Sequence, residues 1–212
     1  MELEIDTSGL ADLAARVGSA CDQMEDEAGD GTVLVVRLSC GPNDPRWPGE
    51  VNVAAVNRWE RAVRRLERLD VPTVAVATGR CGGPALDVLL ATDYRVAGGD
   101  LCLCLPRYRG RVWPGMALHR LANQLGAARA RRLVLTGQDI RAERALSLGL
   151  VDEVSEDVDT AVTAAAALLG GLDVSVRRQL VLEAASTSFE DALGTHLAAC
   201  DRELRRRQPA PC

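Results

Sequence analysis

One stretch, Val71 to Pro106 (VPTVAVATGRCGGPALDVLLATDYRVAGGDLCLCLP), narrows the possible folds of this chain more than any other. The apolar run Val74 to Ala77, entered through Pro72, has the composition of a buried strand. Gly79, Gly82 and Gly83 then turn the chain. A helix is expected at or just after Pro84, because proline's missing N–H has no intrahelical partner in a first turn. The remainder reads as a second strand pair. Free backbone N–H groups at such a turn can bind an anion or a polarised carbonyl. The glycine spacing is neither G-x-G-x-x-G nor a P-loop, so nucleotide folds are disfavoured. The bare pattern fits a structural turn as well as a site.

The flanking chain places this stretch in an α/β context. Leu3 to Ile5 makes a short strand. Thr7 or Ser8 can cap a helix whose apolar face holds Leu10, Leu13, Ala14, Val17 and Met24. GDGTVLVVRLS, residues 29 to 39, is a turn and a β-branched run expected to be buried on both faces. Cys40 to Glu50, with three prolines and two glycines, must be an irregular loop directly after a buried strand, a usual position for a binding loop. Val51 to Leu69 reads as a helix with Trp59 and Val63 on its apolar face and Arg58, Arg61 and Arg65 on a solvated one.

Strand, helix, strand, helix, strand implies right-handed crossovers and a largely parallel sheet. Beyond Trp113 the periodicity is helical to near the end, broken only by a short extended piece before 155. This divides the chain into an α/β core, 1–155, and a helical region, 156–212, suited to capping or oligomer contacts.

Composition excludes several chemistries. There is no lysine, so no lysine nucleophile or Schiff base can form. A net charge of −5 argues against a nucleic-acid partner. Seven cysteines without C-x-x-C spacing, and only His119 and His196, assemble no zinc-site pattern, and small reduced core residues are the expectation. No serine, histidine and acid set suggests a hydrolase. No apolar run reaches the length of a membrane helix and MELEIDTSGL is not a secretory signal, so a cytoplasmic protein without membrane contact is expected.

Two ordered blocks resemble the crotonase (enoyl-CoA hydratase/isomerase) superfamily. The first comprises Pro72, Val74, Ala75, Gly79, Gly83, Leu86, Asp87, Leu90, Ala91, Asp93, Arg95 and Ala97. The second runs through Pro114, Gly115, Arg120, Leu121, Gly126, Ala130, Leu135, Thr136, Gly137, Ile140, Ala142, Ala145, Gly149, Leu150 and Val151. The resemblance implies the crotonase (ClpP-like) fold of stacked β-β-α units, with a homotrimer or hexamer built through the C-terminal helices. It further implies a CoA thioester as substrate with no separate cofactor or metal.

By the same resemblance two backbone N–H groups form an oxyanion hole, and one or two carboxylates move protons. Asp87 falls on the first carboxylate position. Its other reading is a carboxylate held by a helix N-terminus. The second carboxylate position is Arg107, a poor base, which either meets CoA phosphates or a substrate carboxylate or belongs to a solvated basic loop. One oxyanion position is Pro84, which has no N–H, so Gly83 or Ala85 would have to serve. The other falls near Cys40 and Gly41. Trp113 could line an acyl pocket or pack under its loop.

Two functions stay open. One is an enoyl-CoA hydratase or dehydratase type of lyase acting on an acyl-CoA or polyketide thioester. The other is a catalytically reduced crotonase that assists a partner. In overall character the chain is similar to the small accessory crotonases of actinomycete dihydroxyphenylglycine biosynthesis, which work beside a type III polyketide synthase in antibiotic pathways.

Overall fold

A computed structural model describes residues 1–27, 29, 31–38, 51–105, 107–108, 111–172, 174–184 and 189–206. The elements in order are β1 (Glu2–Ile5), α1 (Leu10–Glu27), β2 (Leu34–Leu38), α2 (Val53–Leu66), β3 (Thr73–Ala77), β4 (Arg80–Cys81) and α3 (Pro84–Leu89). There follow β5 (Tyr94–Gly98), β6 (Cys102–Leu103), β7 (Arg107–Tyr108), β8 (Arg111–Val112), α4 (Ala117–Leu125), α5 (Ala127–Thr136) and β9 (Ile140–Arg141). Last come α6 (Ala142–Leu148), β10 (Glu153–Ser155), α7 (Val158–Leu169), α8 (Ser175–Ala184) and α9 (Phe189–Arg206). The chain falls into two compact units, Met1–Leu172 and Asp173–Cys212. In the second, α8 packs on α9.

The main sheet runs β1-β2-β3-β5-β10 and every pair in it is parallel, as helical crossovers between successive strands require. β3 lies at its centre and is buried along its whole length. Its side chains alternate between two apolar clusters. Ala75 and Ala77 join the large core with residues of α1, α2 and α3, while Val74 and Val76 join Ala161, Val162 and Ala165 of α7. The sheet therefore has α7 on one face and the remaining core helices on the other. Full burial of a valine is worth about 1.5–3 kcal/mol, so the second face is a substantial part of the unit's stability.

Two local expectations need correction. β2 is not buried on both faces. Leu34, Val36 and Leu38 are buried, but Val35 and Arg37 are only partly covered. Arg37 lies near the rim and pairs with Glu2 and, at 2.8 Å, with Asp159. The helix expected at 51–69 is shorter, Val53–Leu66, because Asn52 caps it by accepting the Ala55 N–H at 2.9 Å.

The central stretch behaves as a hinge between sheets. After β3 the chain turns at Gly79 and β4 leaves the main sheet for a second one, ordered β4-β6-β9. Cys102 N–H donates to Gly79 C=O and Cys104 N–H to Cys81 C=O, each at 2.7 Å. Gly82 is required here, since a Cβ would come within 3.0 Å of the Cys104 carbonyl oxygen.

Cys21, Cys102 and Cys104 are buried and reduced as expected. Cys81 departs from that expectation: it is disulfide-bonded. Among the described residues, no helix is long and apolar enough to cross a membrane.

Candidate functional site

Gly83 sits at the start of α3 with φ 54 and ψ −129, a conformation that a side chain strains. It allows β4 to turn directly into the buried helix. Pro84 occupies the first helical position. Asp87 N–H makes the first helical bond, to Gly83 C=O at 3.1 Å. The backbone N–H groups of Ala85 and Leu86 therefore precede the helical bonding ladder, while Pro84 contributes none. Of the two donors expected to stand in for Pro84, Gly83 and Ala85, the Ala85 N–H belongs to the first helical turn, ahead of the bonding ladder. Cys40 and Gly41 lie outside the described residues.

Asp87 is one turn into α3, on the same side as Pro84, and is only 8% exposed. Its surroundings come from α2 and α4. The Trp59 indole Nε1–H donates to Asp87 Oδ2 at 2.9 Å. Asp87 Oδ1 has no hydrogen-bond partner, and the nearest cation is Arg120, whose Nη1 is 3.8 Å away. Arg120, 6% exposed, is held more closely by Glu60, Nη1 to Oε2 at 3.2 Å. Glu60 Oε1 accepts the Met116 N–H at 3.2 Å. Glu67 is 4.0 Å from Arg120 Nε and also pairs with Arg64.

Burial pushes the Asp87 carboxyl up from 3.8 to about 7, and the negative charge of Glu60 adds to the rise. The Trp59 N–H, the Arg120 charge and, least, the Ala117 N–H pull it back. A carboxyl poised near neutrality can both take and return a proton at physiological pH.

Two devices steady the far end of α3. Asp93 Oδ2 accepts from the Thr73 N–H and hydroxyl, both at 2.8 Å, tying the end of the helix to the start of β3. Arg95 donates to the carbonyl oxygens of Leu90 and Thr92 and to Gln124 Oε1, closing carbonyls that the helix end leaves open. The helix that carries Asp87 is thereby held at its C-terminal end.

The other expected site residues are dispersed around this centre. The backbone of Arg107 lies in the β7/β8 hairpin, opposite Val112; its side chain is outside the described set. Trp113 packs against the Pro114–Gly115 turn, where a Cβ on Gly115 would come within 2.9 Å of the indole ring. Sequence reading did not single out Glu60. Its only signal was a lone acidic residue among the arginines of α2.

The fold also joins Cys102, Cys104 and Asp139, whose potential ligand atoms lie within 4.8 Å of one another. Arg80 already supplies a cation there, 3.0 Å from Asp139 Oδ2 and 3.7 Å from Cys102 Sγ. Burial pushes the Cys104 thiol up to about 12, so it is held as the neutral thiol.

Comparison with known proteins bears on this geometry. Residues 53–205 match the enoyl-CoA hydratase/isomerase family. A relative from Amycolatopsis orientalis described as an enoyl-CoA-hydratase is 49% identical over 195 residues, covering 90% of this chain and 88% of its own length. Among solved structures, an enoyl-CoA hydratase from Shewanella pealeana superposes with a TM-score of 0.78 at 18% identity, over 98% of this chain and 81% of that one. A protein from Thermobifida fusca described as a putative enoyl-CoA hydratase, in complex with acetoacetyl-CoA, gives 0.74 at 20% identity, over 92% and 85%. These two likenesses establish the shared fold.

Proposed function

The chain belongs to the enoyl-CoA hydratase/isomerase family, and from that membership we propose that it binds an acyl-CoA or polyketide thioester and moves a proton beside its carbonyl with Asp87 as sole carboxylate carrier. The observation that carries this reading is the buried carboxyl poised near neutrality, one turn beyond the Gly83–Pro84 turn. The thioester carbonyl would lie at that turn, with the Ala85 N–H taking the role that Pro84 cannot.

A dehydration illustrates the balance. Ionised Asp87 takes the proton from the carbon next to the thioester carbonyl. The electron pair forms the new C=C bond as the C–O bond at the next carbon breaks. The same carboxyl returns its proton to the departing hydroxyl, and water leaves. Because one group does both jobs, proton and hydroxyl must leave from the same face. The reverse sequence is hydration, and returning the proton to a different carbon is isomerisation.

A second reading rests on a specific observation, the proline at an oxyanion position. In that reading the chain holds a thioester or assists a partner, such as a type III polyketide synthase of secondary metabolism, without completing chemistry itself. Cytoplasmic location with a trimeric or hexameric assembly is part of the same proposal.

One experiment separates the two. Purified protein and Asp87→Asn are assayed with crotonyl-CoA. Turnover that falls about 100-fold or more in the variant supports the enzyme. No turnover alone, but faster product formation when a type III synthase is supplied with malonyl-CoA, supports the assisting role. If no CoA ester binds and no partner reaction responds, both readings fail.

A further inference from the structure

The charges around Asp87 are unequal to their counter-ions. Three carboxylates, Glu60, Glu67 and Asp87, surround the single buried guanidinium of Arg120. Glu67 has a second partner in Arg64. Glu60 spends one oxygen on Arg120 and the other on the Met116 N–H. Asp87 accepts from a neutral donor, Trp59, on Oδ2, its Oδ1 has no hydrogen-bond partner, and the Ala117 N–H acts on the carboxyl more weakly. At 3.8 Å Asp87 is further from Arg120 Nη1 than Glu60 is, at 3.2 Å. With Glu60 the closer of the two to that cation, its negative charge disfavours ionisation of the buried Asp87.

We infer that Glu60 is a positioning residue for proton transfer at Asp87: it draws Arg120 away from that carboxyl, while Trp59 fixes the carboxyl's orientation and leaves Oδ1 free to exchange a proton. The inference rests on the reading of Asp87 as the proton carrier. The charged groups that face Asp87 among the described residues are Glu60 on α2, Arg120 on α4 and, through Arg120, Glu67 at the C-cap of α2 with its partner Arg64 on α2. Glu60→Gln keeps an acceptor for the Met116 N–H but gives up the charge that holds Arg120. The guanidinium is then available to Asp87, and its ionised form becomes the favoured one.

The shell makes its own reporter. The Trp59 indole N–H is bonded to Asp87, so its ¹H–¹⁵N NMR signal follows the charge on that carboxyl. The full chain has three tryptophans, Trp47, Trp59 and Trp113, and Trp47→Phe and Trp113→Phe assign the signals. The wild type should titrate near neutral pH. Glu60→Gln should move the midpoint to acid by at least one pH unit, a tenfold fall in proton affinity. Glu60→Asp, which restores the charge, should return it to within half a unit of wild type. Asp87→Asn should abolish the titration. If Glu60→Gln fails to fold, the same comparison is made with Arg120→Lys, whose shorter side chain draws the cation back from Asp87 and should move the midpoint to alkali, while Arg64→Gln should leave it in place.

A midpoint that stays put in Glu60→Gln, or a titration that survives Asp87→Asn, overturns the inference. The measurement needs no substrate. A shifted midpoint without thioester turnover would leave the shell standing and sink the enzymatic reading. An unmoved midpoint in an active enzyme would do the reverse.

Discussion

Asp87→Asn should stabilise the folded chain increasingly as pH rises. Below pH 3.8 the carboxyl is protonated in folded and unfolded chains alike, and its protonation equilibrium does not affect stability. Above that, the unfolded chain releases the proton while the folded one keeps it until about pH 7. The raised value therefore contributes stability that is fully present below 3.8 and lost as pH climbs to about 7. At about 1.4 kcal/mol per pKa unit, the rise from 3.8 to about 7 sets a ceiling of about 4 kcal/mol. Asparagine has no proton to lose and can still accept from Trp59. Any fixed cost of placing its amide toward Arg120 is the same at every pH and cancels. Urea unfolding of both proteins at about pH 4.5 and about pH 8.5, followed by tryptophan fluorescence, gives the difference directly. The variant should gain about 3 kcal/mol relative to wild type between the two conditions, or about 6–12 °C in Tm for a chain of this size. A difference constant to within about 0.5 kcal/mol, well below the linkage expected, would mean that Asp87 does not titrate in this range. A relative loss would mean that Arg120 pairs with ionised Asp87, and the charge assignment would be reversed.

Two further substitutions test the frame that holds Asp87. Gly83→Ala forces a side chain into φ 54, ψ −129 and should cost about 1–3 kcal/mol, read as a fall of several degrees in Tm; an unchanged Tm would refute the turn geometry. Asp93→Ala leaves the buried Thr73 N–H and hydroxyl without their acceptor and should cost about 2–3 kcal/mol by urea denaturation, whereas a loss below about 0.5 kcal/mol would show that Asp93 does not tie α3 to β3.

Much of the fold is legible along the chain because it depends on local rules. The apolar run of β3, the proline at the head of α3 and the alternation of strand with helix each announce themselves within a few residues. A parallel sheet follows from that alternation, since strands joined by helices cannot form hairpins. The surprises have nonlocal causes. The outward half of β2 keeps Arg37 at the rim through Asp159, more than a hundred residues later in the chain. β4 leaves the main sheet because of pairing with β6, which no feature of Arg80 or Cys81 announces.

The site divides along the same line. That Pro84 lacks an N–H and that Arg107 is no base are properties of the residues, true in any conformation. That the resemblance lays a carboxylate position on Asp87 is likewise a matter of order and spacing. Its chemistry, however, depends on Trp59, Glu60 and Arg120, which lie on two other helices. Glu60 reads in sequence as one charge on an arginine-rich, solvated helix. Only packing α2 against α3 and α4 brings it beside a buried cation. The sequence by itself thus determined which groups can donate, accept or carry a proton. The tertiary structure decided which of them hold the proton, because desolvation and the sharing of one guanidinium among three carboxylates arise only when those helices meet.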